Sequence, residues 1–197
     1  MYEIYDKPMI WWVWKSVKMS KYKNKVVIAT SNNRSDNKLF KYLKKNKIRV
    51  YRGSLTNVTG RLMQTAKKYN SKYFIRISGD SPLLHSSLID NAISCYKNLK
   101  KKFDLITNIY PKRIYSKGMS VELIRTDILK QNIKNMTDLQ KEHVTKYFYE
   151  NNLKYKIIPL KKNYNLNKYF YGKVSLAVDN FKDIKKIKPL IKKKFKI

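Results

Sequence analysis

Two carboxylates stand where this sequence could do chemistry. Asp80 follows the apolar, β-branched run Tyr73–Ile77 and is bracketed by Gly79 and Pro82, so it ends an expected strand. Asp179 follows the run Val174–Val178, 99 residues later (179 − 80). In a chain with 45 basic and 13 acidic residues, two acids at strand ends form a candidate pair for a hard cation. Mg²⁺ takes oxygen ligands, usually one or two carboxylates plus substrate phosphates. The alternative is that each acid caps the turn or helix that follows it, which Asp80-Ser81-Pro82 and Asp179-Asn180 both allow. Glu142 beside His143 could serve acid–base work. Adjacent residues do not share a helix face, however, so His143 reads as a ligand or interface contact. The sequence has no Cys/His zinc spacing, no Gly-x-Gly-x-x-Gly or Walker-type loop and no internal repeat.

Strand-end acids need a sheet to hold them. Tyr2–Tyr5 is a short strand-like piece, Pro8 opens a largely apolar helix through Trp11, Trp14 and Val17, and Val26–Thr30 is an expected strand ending in the polar loop from Ser31. A helix over 37–45, a strand over 48–51 closing on Arg52-Gly53-Ser54, and a helix capped by Thr56 or Asn57 and running to about Tyr69 come next. After the Asp80 strand, Ser86 or Ser87 caps a helix through Tyr96, and Phe103–Thr107 is another strand. This alternation implies a parallel sheet with right-handed crossovers and a ligand crevice at the strand C-termini. The loops at Ser31, Arg52 and Ser78 offer hydroxyls, amides, arginines and an acid, a set suited to a phosphorylated or nucleotide ligand. Beyond Tyr110 the pattern predicts an extended segment over 118–123, helices over 127–134 and 139–150, strands over 155–160 and 174–178 around a Lys-, Asn- and Tyr-rich loop, and a final helix from Asn180.

With 197 residues and 43% hydrophobic content the default is one domain with its own core. No apolar run reaches the roughly 20 residues needed to span a bilayer, and the lone Cys95 fits a reducing cytoplasm. The net charge of +32 raises a polyanion partner. Only 7 of the basic residues are Arg, leaving 38 Lys (45 − 7) spread through an Asn-, Ile- and Tyr-rich chain, the pattern of a solvated, compositionally biased surface.

Six segments in order then carry a family likeness: Ala29-Thr30-Ser31 with Asp36; Tyr51-Arg52-Gly53-Ser54 with Val58 and Arg61; Ile75 to Leu83; Gly118 with Val121-Glu122; Glu142 to Thr145; and Val178-Asp179. Over essentially its whole length the chain resembles the cytidylyltransferases that activate acidic sugars, nearest to the spore-coat polysaccharide biosynthesis branch related to CMP-sialic acid and CMP-Kdo synthetases. The resemblance implies an α/β nucleotide-diphospho-sugar transferase fold, Rossmann-like, a three-layer α/β/α sandwich around a mostly parallel sheet. It implies a cytoplasmic enzyme turning CTP and an acidic sugar into CMP-sugar and pyrophosphate, a homodimer being the common assembly. Asp80 and Asp179 inherit the Mg²⁺ role, Ser31, Arg52, Ser54, Arg61 and Arg76 the nucleotide side, and Glu122 and His143 the sugar side. The family's first strand and its Leu-Pro-Gly-Lys phosphate loop align before Met1, so residues 1–197 are expected to form one domain without that strand and loop. Two rival expectations are an inactive family member and a basic nucleic-acid-binding protein, whose affinity would fall steeply with salt.

Overall fold

A computed structural model describes residues 2–162, 166 and 174–197. Its first strand pair, β1 (Glu3–Ile4) and β2 (Lys7–Pro8), is a tight antiparallel hairpin. Tyr5 and Asp6 turn it with positive φ of 49° and 57°, the geometry of a two-residue hairpin loop. The fixed φ of Pro8 then starts α1 (Met9–Lys18), whose Trp12 is buried and donates its indole N–H to Ile4 O at 2.8 Å. Only Trp12, Val13 and Ser16 of α1 are fully buried, so the helix is one-sided rather than apolar all round.

Next come β3 (Ile28–Ser31), α2 (Asn37–Lys45), β4 (Val50–Gly53), α3 (Val58–Lys68), β5 (Tyr73–Arg76), α4 (Ser86–Asn98), β6 (Leu105–Thr107), β7 (Glu122–Arg125), α5 (Thr126–Asn132), α6 (Asp138–Glu142), α7 (Lys146–Glu150), β8 (Ile157–Pro159) and α8 (Phe181–Phe195). β3 and β4 pair in parallel. The other sheet runs β5-β7-β6-β8, with β7 antiparallel to both neighbours and β6 parallel to β8. The sheet is therefore mixed, with one reversed strand. The connection over 108–121 that joins β6 to its neighbour β7 holds no helix, so no crossover makes that pair parallel.

Register and alternation build the three layers. Ile75, Leu123, Ile106 and Ile158 form one cross-strand row, and with Tyr73 they pack on the side of α1, α4 and α8 through Trp12, Leu88, Ala92, Ile184, Ile187 and Ile191. Phe74, Ile124, Leu105 and Ile157 form the neighbouring row, on the opposite face, against Leu62, Ile128, Leu129 and Phe148. A period of two thus sends alternate residues to two helical layers, the α/β/α sandwich expected. No helix among the described residues is long and apolar enough to cross a membrane.

Three expectations need correction. The run 174–178 joins no ladder: Leu176 N–H donates to Lys117 O and Val178 N–H to Asp80 O, so it threads between two turns. The single helix expected over 139–150 is two, because buried Val144 and Thr145 turn inward at the break while His143 leaves helical geometry (φ −96°, ψ 42°). The cap of α4 is His85, whose ring accepts from Ser87 N–H, not Ser86 or Ser87. Asn57 does cap α3, accepting from Gly60 N–H at 2.7 Å. Most of the loop between 160 and 174 lies outside the described residues.

Candidate active site

Backbone contact brings together the segments that carry Asp80 and Asp179, neither of which ends a strand directly. Asp80 is half-buried, its Oδ1 accepts from Ser81 Oγ at 2.7 Å, and its carbonyl accepts from Val178 N–H at 2.9 Å. Asp179 is the next residue along and is exposed, its own N–H donating to Asp183 Oδ2 at 3.1 Å. That bond belongs to the start of α8, where Asn180 and Asp183 form a capping box. Cap duty at this helix therefore falls to Asn180 and Asp183. The exposed Asp179 carboxylate accepts no hydrogen bond among the described residues. The threaded segment reaches this place only because Gly118 (φ +89°) lets it pass: a Cβ there would lie 2.7 Å from Leu176 C and Ala177 N.

The expected nucleotide residues gather at the ends of β3 and β4. Asp36 Oδ2 accepts from Thr30 Oγ1 (2.6 Å), Ser31 N–H (2.9 Å) and Ser31 Oγ (2.7 Å). Burial works to raise the Asp36 pKa, but these bonds and the nearby Arg52 outweigh it and hold it below the ordinary carboxylate value. Arg52 braces the same loop, donating from Nε to Ser31 O and from Nη2 to Asn33 O, both at 2.8 Å. Ser54 Oγ accepts from Asn57 N–H, and Arg61 Nη1 donates to Ser54 O at 2.6 Å. Arg61 Nε is buried with no partner among the described residues, and burial pushes the guanidinium below its ordinary value, opposed by Asp36. Ser31, Arg52, Ser54 and Arg61 thus form one braced cluster, with the arginines spent partly on carbonyls.

A second polar group occupies the end of the larger sheet. Arg76, Glu122 and Thr107 form the cross-strand row beyond the apolar ones, on the α7 side. Glu122, expected to face the sugar, is 0% exposed: it pairs with Arg76 and accepts from Thr145 Oγ1 and Tyr149 OH, each at 2.6 Å. His143 is exposed two residues before Thr145, in the break between α6 and α7. Thr59 Oγ1 donates to Lys141 O, linking the start of α3 to this turn. Thr145 and Tyr149 were not singled out from the sequence, although their i, i+4 spacing on an otherwise aromatic helix was a usable signal.

Lys194 was also missed, yet it continues the spacing of Ile184, Ile187 and Ile191 into the core. Its ammonium donates to Ser16 Oγ and Leu84 O, each at 2.6 Å, and burial pulls its pKa from 10.5 to about 7. Val178, ahead of α8, and Lys194, near its C-terminal end, therefore both bond to the 80–84 turn. His85 stands near, its pKa lowered by burial and then by Lys194, with Asp90 opposing. Because the unfolded state binds the Lys194 proton more tightly, stability should rise with pH between about 7 and 10.5, by of order 3 kcal/mol up to pH 9.5. Urea midpoints at both pH values for the protein and for Lys194→Met check this; the variant should lose most of the rise, and an equal rise in both would contradict it.

A family model described as cytidylyltransferase matches residues 1–194. Among curated proteins, the uncharacterized protein MJ1063 of Methanocaldococcus jannaschii is 32% identical over 170 residues, covering 86% of this chain and 66% of that protein. The spore coat polysaccharide biosynthesis protein SpsF of Bacillus subtilis is 28% identical over 173 residues, covering 88% and 69%. The chain thus spans about two thirds of the length of these relatives. Among solved structures, a cytidylyltransferase from Leptospira borgpetersenii superposes with a TM-score of 0.85 at 26% identity, covering 97% of this chain and 78% of that one. A CMP:2-keto-3-deoxy-manno-octonic acid synthetase solved with CTP gives 0.69 at 13% identity, covering 98% and 91%, a likeness of fold alone. The mixed sheet between two helical layers is thus a nucleotidyltransferase fold, and the chain belongs to the cytidylyltransferase family.

Proposed function

We propose that this protein is a Mg²⁺-dependent cytidylyltransferase that joins the CMP portion of CTP to an acidic sugar, releasing pyrophosphate, in the cytoplasmic stage of surface polysaccharide synthesis. One observation supports the reading: the backbone bond from Val178 N–H to Asp80 O joins two segments distant in sequence, each carrying one of the two acids. Two carboxylates would leave the other positions of a hard cation to phosphate and water. That donor set fits Mg²⁺, with Asp80 and Asp179 as its holders; when bound, such an ion neutralises triphosphate charge.

The remaining work belongs to the chain. Ser31, Ser54, Arg52 and Arg61 shape the nucleotide side, the arginines holding their loops by carbonyls so that backbone N–H groups stay fixed in place. Exposed His143 borders the sugar side, and Arg76, expected on the nucleotide side, lies apart from the Ser31 cluster in an ion pair with buried Glu122. The reaction is an in-line displacement at the α-phosphorus by a sugar hydroxyl, so orientation and charge neutralisation suffice and no covalent nucleophile is required.

Calorimetric titration with CTP, ATP, GTP and UTP, with and without Mg²⁺, tests the assignment. Selective CTP binding that needs Mg²⁺ is the expected result. Failure of every nucleotide to bind, or equal binding of all four, would overturn it.

A further inference from the structure

The fully buried carboxylate among the charged side chains is Glu122, and everything around it serves one guanidinium. In a chain with 13 acids, one that is 0% exposed at the ligand end of a sheet asks for a physical reason. A buried ion pair gains little stability over a well-packed apolar pair of similar size. The apolar rows just below it show that this sheet builds apolar pairs readily at the same positions of neighbouring strands.

The pair is built to fix a geometry. Glu122 Oε2 takes Arg76 Nη1, while Oε1 takes Thr145 Oγ1 and Tyr149 OH. With its proton given to Glu122, the Tyr149 oxygen accepts from Thr107 Oγ1 at 3.1 Å, and its ring stacks on Tyr110 at 5.1 Å with an interplanar angle of 2°. Strands β5, β6 and β7 and helix α7 thus converge on one carboxylate, which cannot rotate without breaking three bonds. Arg76 itself keeps 24% of its side chain exposed. Its Nε and Nη2 have no hydrogen bond among the described residues and are not among the buried atoms lacking partners, so they reach solvent. A guanidinium with one arm locked and two donors open is prepared for an anionic oxygen pair. Asp80 follows Arg76 by four residues (80 − 76), in the segment that leaves the end of β5.

We infer that Arg76 receives an anionic oxygen group of a substrate and that Glu122, held by Thr145 and Tyr149, is the positioning residue that aims it. This rests on the cytidylyltransferase reading for its substrates, where the anion is either a sugar carboxylate or the triphosphate. A consequence is that Glu122 touches no substrate itself.

The test follows the Arg76 Nε–H resonance by ¹⁵N NMR while pyruvate, as a carboxylate probe, or pyrophosphate is titrated into the full chain. A saturable shift with pyruvate identifies the sugar carboxylate as the source, and one with pyrophosphate the triphosphate; either supports the inference, and no shift with either overturns it. In Glu122→Gln the side-chain oxygen still accepts from Thr145 and Tyr149 but Arg76 loses its anchor, and probe affinity should fall about tenfold, the worth of one charge-assisted bond. An unchanged affinity would show the pair to be merely structural. Should Glu122→Gln not fold, Tyr149→Phe removes one of the three holding bonds and should weaken binding in the same direction. Because the readout needs neither CTP turnover nor Mg²⁺, its failure is separable from failure of the enzymatic assignment, which the nucleotide calorimetry decides.

Discussion

Asp80→Asn and Asp179→Asn are each expected to lower CMP-sugar formation by about a hundredfold or more while leaving the unfolding midpoint nearly unchanged. The amide at position 80 can still accept from Ser81 Oγ, and the backbone bond from Val178 to residue 80 involves no side chain. At position 179 the carboxylate has no hydrogen bond to lose among the described residues, so only its charge is removed. The loss should therefore lie in turnover rather than in folding. Since both acids would serve one ion, the double variant should be scarcely worse than either single one, a non-additivity expected of groups acting as a unit. Pyrophosphate release assayed across a Mg²⁺ series checks this. Turnover preserved in both single variants would remove the carboxylate pair from the mechanism.

Gly118→Ala should be the most damaging of the small substitutions. Its φ of +89° strains any side chain, and the added Cβ would meet Leu176 O at 2.8 Å and Ala177 N at 2.7 Å. These are backbone atoms of a buried segment, so no flexible side chain can swing aside. A cost of roughly 2–4 kcal/mol follows, with disturbed placement of Asp179 and a matching loss of activity. Gly79→Ala provides the contrast for stability, because its Cβ would meet only Ile10 Cδ1 at an ordinary 3.5 Å. Denaturant midpoints at constant m-value measure both. Equal stability of the two variants would show that the 176–177 segment can move away at little cost.

Much of this was legible in the chain. The β-branched and aromatic run from Tyr73 announced a strand and Asn57 announced a cap, while the extended segment expected over 118–123 meets the observed strand only at Glu122 and Leu123. What stayed hidden depends on partners remote in sequence. Val174–Val178 reads as a strand because burial of Leu176, Ala177 and Val178 leaves the same pattern whether the backbone joins a ladder or threads between turns. Glu122 reads as a ligand because a sequence does not reveal that Arg76, Thr145 and Tyr149 converge on it. The reversal of β7 was equally invisible, since strand direction is set by connection geometry and not by residue pattern. Lys194 is the case where attention to spacing would have sufficed.

The bond from Val178 to Asp80 spans 98 positions (178 − 80), and that separation governs when the protein becomes competent. Closing so long a loop costs about 4 kcal/mol of chain entropy before any contact repays it. Every strand of the four-stranded sheet is already in the chain by Pro159, whereas Asp179 and the helix gripping the 80–84 turn come later. On a ribosome the scaffold can assemble while the carboxylate pair does not yet exist. A nascent chain that ends at Pro159 therefore lacks both Asp179 and the apolar face of α8 that covers the sheet, so these long-range contacts close late in its maturation.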